Sequence, residues 1–226
     1  MLQTLRNWMY RSKIVEINKL NYNVLSLKLE KPVNYSFKEG QLAYLSLNEE
    51  TRRPFSIAST NSDTFLEFII KIYEERKGFT FSLLSLSKNS SIFISDPLGS
   101  ISFKDSGVFI AGGTGIVPFL SILRELKNKK SLKENTLIFS NKTEKDIFLK
   151  EELNNLQENS LNLIHTLTRE SLPNYMNKRI DLTFLKENIK DFNQYFYICG
   201  PIRLVGETQH FLRILGADPD KIIMET

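Results

Sequence analysis

Near residue 104 the chain changes rhythm, and that change divides it into two modules. Before it, short apolar bursts at 12–19, 24–30, 41–47, 53–59, 65–72 and 91–95 are rich in Ile, Val, Leu, Phe and Tyr. Within 24–30, Leu25, Leu27 and Leu29 alternate with Val24, Ser26 and Lys28, the period-two pattern of a strand. Asn21, Pro32, Lys38-Glu39-Gly40 and Asn61-Ser62-Asp63 supply the turns between bursts. Short strands at this spacing predict a closed antiparallel barrel or a sandwich. One helix over 80–86 interrupts them, with Thr80 after Gly78 as its N-cap. After Lys104-Asp105-Ser106-Gly107, strands over 108–111, 137–140, 161–166 and 195–199 alternate with helices over 116–127, 148–156 and 202–215. That order implies βαβ units and a parallel sheet. Ligands of open α/β sheets lie at the carboxyl ends of the strands, so the crevice between the modules is the natural site.

Composition narrows the chemistry. An apolar fraction of 41% and a charged fraction of 25% belong to an ordinary soluble globular protein, and no apolar run nears the ~20 residues of a membrane span. MLQTLRNWMYRSK has no continuous apolar core followed by a small-residue cleavage site, so a cytoplasmic location is expected. Cys199 is the single cysteine, which excludes an intrachain disulfide or a four-cysteine iron–sulfur cluster in this chain. His165 and His210 lie far apart without a carboxylate pattern, so no protein-built metal site is expected. Redox chemistry must therefore come from a bound organic cofactor. The net charge of +4 and the lysines at 127, 129, 130 and 133 read as a solvated face rather than a nucleic-acid patch. A weakly basic surface still suits an acidic protein partner.

Four motifs carry candidate chemistry. RRPFSIAS places a cation, a ring and a hydroxyl at Arg53, Phe55 and Ser56; it reads either as a plain strand or as a flavin wall with an anion-binding end. On an extended strand Arg53 and Phe55 share a face and Ser56 takes the other. A turn, bulge or strand end near Pro54 must then bring Phe55 and Ser56 to one ring. In FIAGGTGIVPFLSIL a buried strand runs into Gly112, Gly113, Thr114 and Gly115, with Pro118 in the first turn of the next helix. Backbone N–H groups at such a helix start suit a pyrophosphate, although the G-x-G-x-x-G fingerprint is not met. YFYICGPIRLV ends a second strand in Cys199, Gly200 and Pro201. KGFTFSLLSL puts Gly78 and Thr80 at a helix start, where with Arg53 they suit one diphosphate.

The ordered set RPFS, G-F-T, D-P-L-G-S, A-G-G-T-G-I-V-P and C-G-P resembles the ferredoxin–NADP reductase superfamily of flavoprotein oxidoreductases. The resemblance covers nearly the whole chain, and SNKTEKDIFLKEEL and TLTRE look like its further nucleotide-contact segments. It implies an N-terminal antiparallel Greek-key β-barrel that binds FAD, over 1–104, and a C-terminal α/β parallel-sheet domain that binds NAD(P), over 105–226. Carried onto this chain, it implies that Arg53 and Pro54 meet the flavin diphosphate region, that Phe55 lies along the isoalloxazine and that Ser56 bonds near flavin N5. Ile70 and Lys71, with Gly78, Phe79 and Thr80, would hold the ribityl and diphosphate. Gly113, Thr114 and Gly115 would meet the nicotinamide dinucleotide, and Cys199, Gly200 and Pro201 would approach its nicotinamide. Ser56, Cys199 and Glu225 are the implied catalytic residues. The family usually has Tyr where Phe55 stands, and its plant-type members end in an aromatic that covers the flavin, whereas this chain stops at Glu225-Thr226. A less obstructed nicotinamide face is expected.

The implied reaction passes a hydride from nicotinamide C4 to flavin N5 and then electrons to a separate carrier, with ferredoxin or flavodoxin as the leading class. Alternatives are an NAD(P)H:flavin reductase using flavin as substrate, an electron-transfer subunit of a larger redox complex, or a binding module without turnover. Ser140 and Lys142 after one strand and Arg169 after the next could converge on an adenosine 2′-phosphate, which predicts a preference for NADPH over NADH. Glu144, Asp146 and Glu170 lie close enough to weigh against that charge argument.

Overall fold

The protein is described by a computed structural model covering residues 9–48, 51–99 and 101–225. The N-terminal stretch 1–8, weighed above as a leader, lies outside the described residues, as do Ser100 of the D-P-L-G-S motif and Thr226.

The first half folds as β1 (Met9–Lys19), β2 (Val24–Glu30), β3 (Leu42–Ser46), β4 (Arg52–Ser56), β5 (Phe65–Lys71), a short helix α1 (Phe79–Ser82) and β6 (Ser91–Ser95). The strands form one antiparallel sheet in the order β4-β3-β6-β1-β2-β5. A bridge between Ile57 and Phe68 joins its two ends, and Ala58 N donates to Glu67 O at 2.8 Å. The sheet is thereby closed into a barrel. Ile14, Leu27, Leu29, Leu45, Phe68, Ile92 and Ile94 fill its interior.

One expectation about this half is narrowed and one is corrected. The β3–β4 ladder runs in unbroken register from Leu42↔Ser56 to Ser46↔Arg52, through Tyr44↔Pro54, so there is no bulge at Pro54. Among the described residues β4 has only β3 as a ladder partner, and proline is accommodated at such an edge; the strand simply ends at Ser56. The helix expected over 80–86 is α1 followed by a 3₁₀ turn, Leu83–Ser85, and its N-cap is Gly78 with no side-chain cap bond. Phe79 packs on the barrel core, which draws the helix start upstream and leaves Thr80 inside the first turn.

The second half contains β7 (Gly107–Gly112), α2 (Val117–Asn128), β8 (Thr136–Asn141), α3 (Lys150–Glu158), β9 (Asn162–Leu167), α4 (Leu182–Asn188), β10 (Tyr195–Cys199), α5 (Ile202–Ile214) and β11 (Ile222–Met224). All five strands are parallel, in the order β11-β10-β7-β8-β9. The helix expected over 148–156 starts later because Leu149 sits at φ 58°, in the left-handed region. α4, capped by Asp181 accepting from Phe184 N, and β11 were not expected.

The halves share a core. Val24, Ala58, Ile69 and Ile101 of the barrel side join Phe119, Leu120 and Leu123 of α2 in one buried cluster. The outward face of β2 is therefore buried too: Val24 packs on the second half, and Ser26 donates to the buried carboxylate of Glu67 at 2.6 Å. Polar ties flank this core. Gly40 N donates to Ser121 Oγ at 2.8 Å, and the Tyr22 hydroxyl donates to Asp146 Oδ1 at 2.6 Å.

Candidate functional site

Two cavities, of about 610 and about 560 Å³, adjoin between the halves and share Ser56, Lys71, Tyr73, Thr114 and Glu225 as wall. The larger follows the carboxyl ends of the parallel strands: Gly112 to Gly115 after β7, Ser140 to Lys142 at β8, Thr168 and Arg169 after β9, and Cys199 to Pro201 at β10. The smaller lies against the barrel, with Tyr44, Pro54, Phe55, Ile70, Thr80 and Leu98 in its wall. One wall is thus polar and glycine-rich, the other aromatic and aliphatic.

Glycine has two different purposes in the β7 loop. At Gly113, φ is +54° and an added Cβ would meet nothing within 4 Å, so the backbone there faces open space. At Gly115 an added Cβ would lie 2.3 Å from Cys199 O and 2.6 Å from Gly200 Cα. The β7 and β10 loops therefore touch backbone to backbone.

Cys199 ends β10, and its thiol donates to Glu225 Oε2 at 3.6 Å. Burial, reinforced by the Glu225 carboxylate, pushes the thiol up to about 12. It is a neutral donor at physiological pH, not a thiolate.

At β8, Asn141 is 5% exposed and lines the larger cavity, yet neither end of its amide has a hydrogen-bond partner. Buried amides are seldom left so; a polar ligand in this cavity would supply the missing partners. The neighbouring loops are laced together, Thr168 N donating to Asn141 O at 2.9 Å and Arg169 N to Lys142 O at 2.8 Å. Ser140, Lys142 and Arg169 consequently sit side by side. The three nearby acids are engaged locally. Glu144 pairs with Lys150 at 2.6 Å and accepts from Tyr175, Glu170 accepts from Glu144 N at 2.7 Å, and Asp146 accepts from Thr143 and Tyr22. Hydrogen bonding by Lys150 holds the Glu144 carboxyl below its usual range.

Of the residues expected at the site, Pro54, Phe55, Ser56, Ile70, Lys71 and Thr80 line a cavity, as do Gly113, Thr114, Gly115, Ser140, Lys142, Arg169, Cys199, Gly200, Pro201 and Glu225. Arg53, Gly78 and Phe79 do not. Arg53 is exposed, its Nη1 donating to Arg52 O at 2.9 Å. Gly78 caps α1, and Phe79 stacks under Phe55 with ring centroids 5.8 Å apart. Sequence reasoning missed Tyr73 and Arg179. Tyr73 lies just past the end of β5 with no local pattern to mark it. Arg179 follows a loop that is folded back by the Thr166–Met176 bridge and by Leu167 N donating to Met176 O at 2.8 Å.

A closed barrel beside a parallel sheet, with two adjoining cavities at their junction, is the architecture of a two-domain oxidoreductase fold. Residues 9–144 match the FAD-binding domain family and residues 109–210 the oxidoreductase NAD-binding domain family. The chain belongs to the ferredoxin–NADP reductase superfamily, with FAD and a nicotinamide nucleotide as its cofactors. Over 238 residues it is 26% identical to the reductase component of propane 2-monooxygenase from Rhodococcus jostii, covering 95% of this chain and 62% of that protein. With NADH-cytochrome b5 reductase 2 of Aspergillus oryzae it shares 25% identity, covering 93% of this chain and 75% of that one. A ferredoxin NADP⁺ reductase from Neisseria gonorrhoeae, solved with bound FAD and NADP, superposes with a TM-score of 0.85 at 25% identity, over 96% of this chain and 98% of that one. The chain spans about half the length of several curated relatives it matches, 47% in one case and 43% in another. Among the described residues no helix is long and apolar enough to cross a membrane.

Proposed function

We propose that this chain carries electrons from NADPH, through bound FAD, to a separate one-electron acceptor protein of the ferredoxin or flavodoxin class. The observation that carries the reading is the shared wall. A ring in the smaller cavity and a nicotinamide in the larger would meet where Ser56, Thr114 and Glu225 line both. FAD, held against Phe55, Ile70 and Lys71, would supply the redox chemistry, two-electron exchange with a nicotinamide and one-electron exchange with the acceptor. The polypeptide binds, orients and excludes water.

In this reading 1–104 is the FAD-binding domain and 105–226 the NAD(P)-binding domain. Phe55, Ile70 and Lys71 border the flavin, and Arg53, Gly78, Phe79 and Thr80 serve its phosphate end. Ser56 and the neutral Cys199 thiol, held by Glu225, offer hydrogen bonds at the junction. Gly113, Thr114 and Gly115 present backbone to the nicotinamide dinucleotide. Ser140, Lys142 and Arg169, joined by Arg179, form the pole for a 2′-phosphate. Lys142, Arg169 and Arg179 line the cavity without a salt bridge among the described residues, while the acids beside them are occupied. The relative named as a ferredoxin NADP⁺ reductase supports the acceptor class. We place the reaction in the cytoplasm, where reduced nicotinamide nucleotide is supplied.

The test is the visible spectrum of the purified protein, followed by kcat/KM for NADPH and NADH in wild type and Arg169→Ala. Flavin bands, an NADPH preference and a mutant losing that preference through a raised KM are expected. A colourless protein that reduces no dye removes the reading. A wild-type preference for NADH removes only the 2′-phosphate site.

A further inference from the structure

Arg124 lies two turns into α2, on the helix whose first turn follows the Gly113–Ile116 loop. Its guanidinium grips both halves with several charge-assisted bonds. Toward the barrel, Nη1 donates to Ala58 O at 2.7 Å and to Glu67 Oε2 at 2.6 Å. Toward its own domain, Nε and Nη2 donate to Glu152 Oε1 and Oε2 at 2.5 and 2.8 Å. Glu67 is 6% exposed, and its other oxygen accepts from Ser26. The hook falls two residues beyond Ser56, where the chain leaves β4 to close the barrel.

Stability is a weak reason for such a cluster, since well-packed apolar residues of similar volume often serve as well or better. Direction is what a planar fork adds. The 3₁₀ turn Gly113–Ile116 runs directly into α2, which rises ~1.5 Å per residue, so Thr114 at the cavity wall is joined to Arg124, and Arg124 fastens the strand end that carries Ser56. Both groups line both cavities. We propose that Arg124 is a positioning residue: its fork sets the register of the two domains, and hence the separation of the flavin and nicotinamide sites. This rests on the reading given under Proposed function.

Two measurements on the full-length holoprotein test it. The first compares wild type with Arg124→Met and Arg124→Lys by anaerobic stopped flow, reading flavin reduction by NADPH and, separately, ferricyanide reoxidation of dithionite-reduced flavin. We expect reduction to slow at least about tenfold in Arg124→Met, since misplacement on the order of 1 Å can cost ~10²-fold. Arg124→Lys should recover part of the loss. FAD content, the half-saturating NADPH concentration and reoxidation should stay within about twofold, because Arg124 itself lines neither cavity. The second measures the distance between spin labels at Lys88→Cys and Lys133→Cys, one per domain, with and without Arg124→Met. A broadened distribution is expected and does not depend on turnover. An unchanged reduction rate, an unchanged distance distribution, or equal slowing of both half-reactions overturns the proposal. If Arg124→Met does not fold, Arg124→Lys decides: wild-type reduction and an unbroadened distance overturn it. A wild-type protein whose flavin neither nucleotide reduces refutes the functional reading instead, and the label distances still judge Arg124.

Discussion

Replacing Gly115 by alanine tests whether the contact between the β7 and β10 loops governs the junction of the two cavities. The new methyl carbon would lie 2.3 Å from Cys199 O, 2.5 Å from Cys199 C and 2.6 Å from Gly200 Cα. All three are backbone atoms, so no side-chain rotation relieves the overlap. Restoring even a tight contact requires the loops to part by roughly 0.7–1 Å, and overpacking of this kind costs ~1–3 kcal/mol. At about 2–4 °C per kcal/mol for a chain of this size, the melting temperature should fall by roughly 2–12 °C. Because the same displacement separates Thr114 from Cys199, flavin reduction by NADPH should slow by one to two orders of magnitude. The barrel is untouched, so FAD content should hold. Gly113→Ala is the control: it meets nothing within 4 Å but keeps a φ of +54°, which costs an L-residue ~1–2 kcal/mol without parting the loops. Differential scanning fluorimetry and anaerobic stopped flow on both variants give the answer. Wild-type melting and reduction in Gly115→Ala would refute the reasoning.

Three further outcomes are expected. Arg53→Ala should release FAD on gel filtration if the exposed guanidinium turns onto the diphosphate, a bond worth ~1.5–3 kcal/mol; a full flavin complement in the variant removes Arg53 from the site. Ser56→Ala should keep FAD and slow its reduction, and an unchanged stopped-flow rate would leave Ser56 a strand end only. Cys199 should resist iodoacetamide in the folded protein at pH 8 and react on unfolding, since burial pushes its thiol up to about 12. An unfolded thiol titrates near ~8.5, so this group's contribution to stability is fully present below that pH and is lost as pH rises toward about 12. Cys199→Ala should flatten that alkaline decline in melting temperature; an equally steep decline would show that other groups cause it.

How much was legible depended on whether the signal was local. β2, β6 and β10 begin and end at the residues their apolar runs and flanking turn formers predict. The glycine loops were placed at the carboxyl ends of parallel strands for the same reason. What failed needed tertiary knowledge. β11 is three residues long and pairs with β10, too short for periodicity to register. The alternation in β2 hid a second buried face, because Val24 and Ser26 are covered by the other domain and by Glu67. That Gly115 also packs against the Cys199 carbonyl was not legible, because the contact joins two loops distant in sequence. Arg179 reaches the cavity only because a hydrogen-bonded loop returns to β9.

The shared core also bears on how a nucleotide reaches its site. Domains within one chain move relative to each other by default, unless the interface between them is large and apolar. Here Val24, Ala58, Ile69 and Ile101 are buried in the same cluster as Phe119, Leu120 and Leu123, and Arg124, Ser121 and Tyr22 add bonds around it. Parting the domains would expose those side chains, at about 1.5–3 kcal/mol for each large one uncovered, and strip the Glu67 carboxylate of its cation. The larger cavity, by contrast, is bordered by exposed Lys142, Arg169, Arg179 and Arg203. Access past these cations costs no core contact and draws an anionic nucleotide inward. The domain interface can therefore stay closed through turnover, with its geometry reserved for holding Ser56, Thr114 and Glu225 around one point.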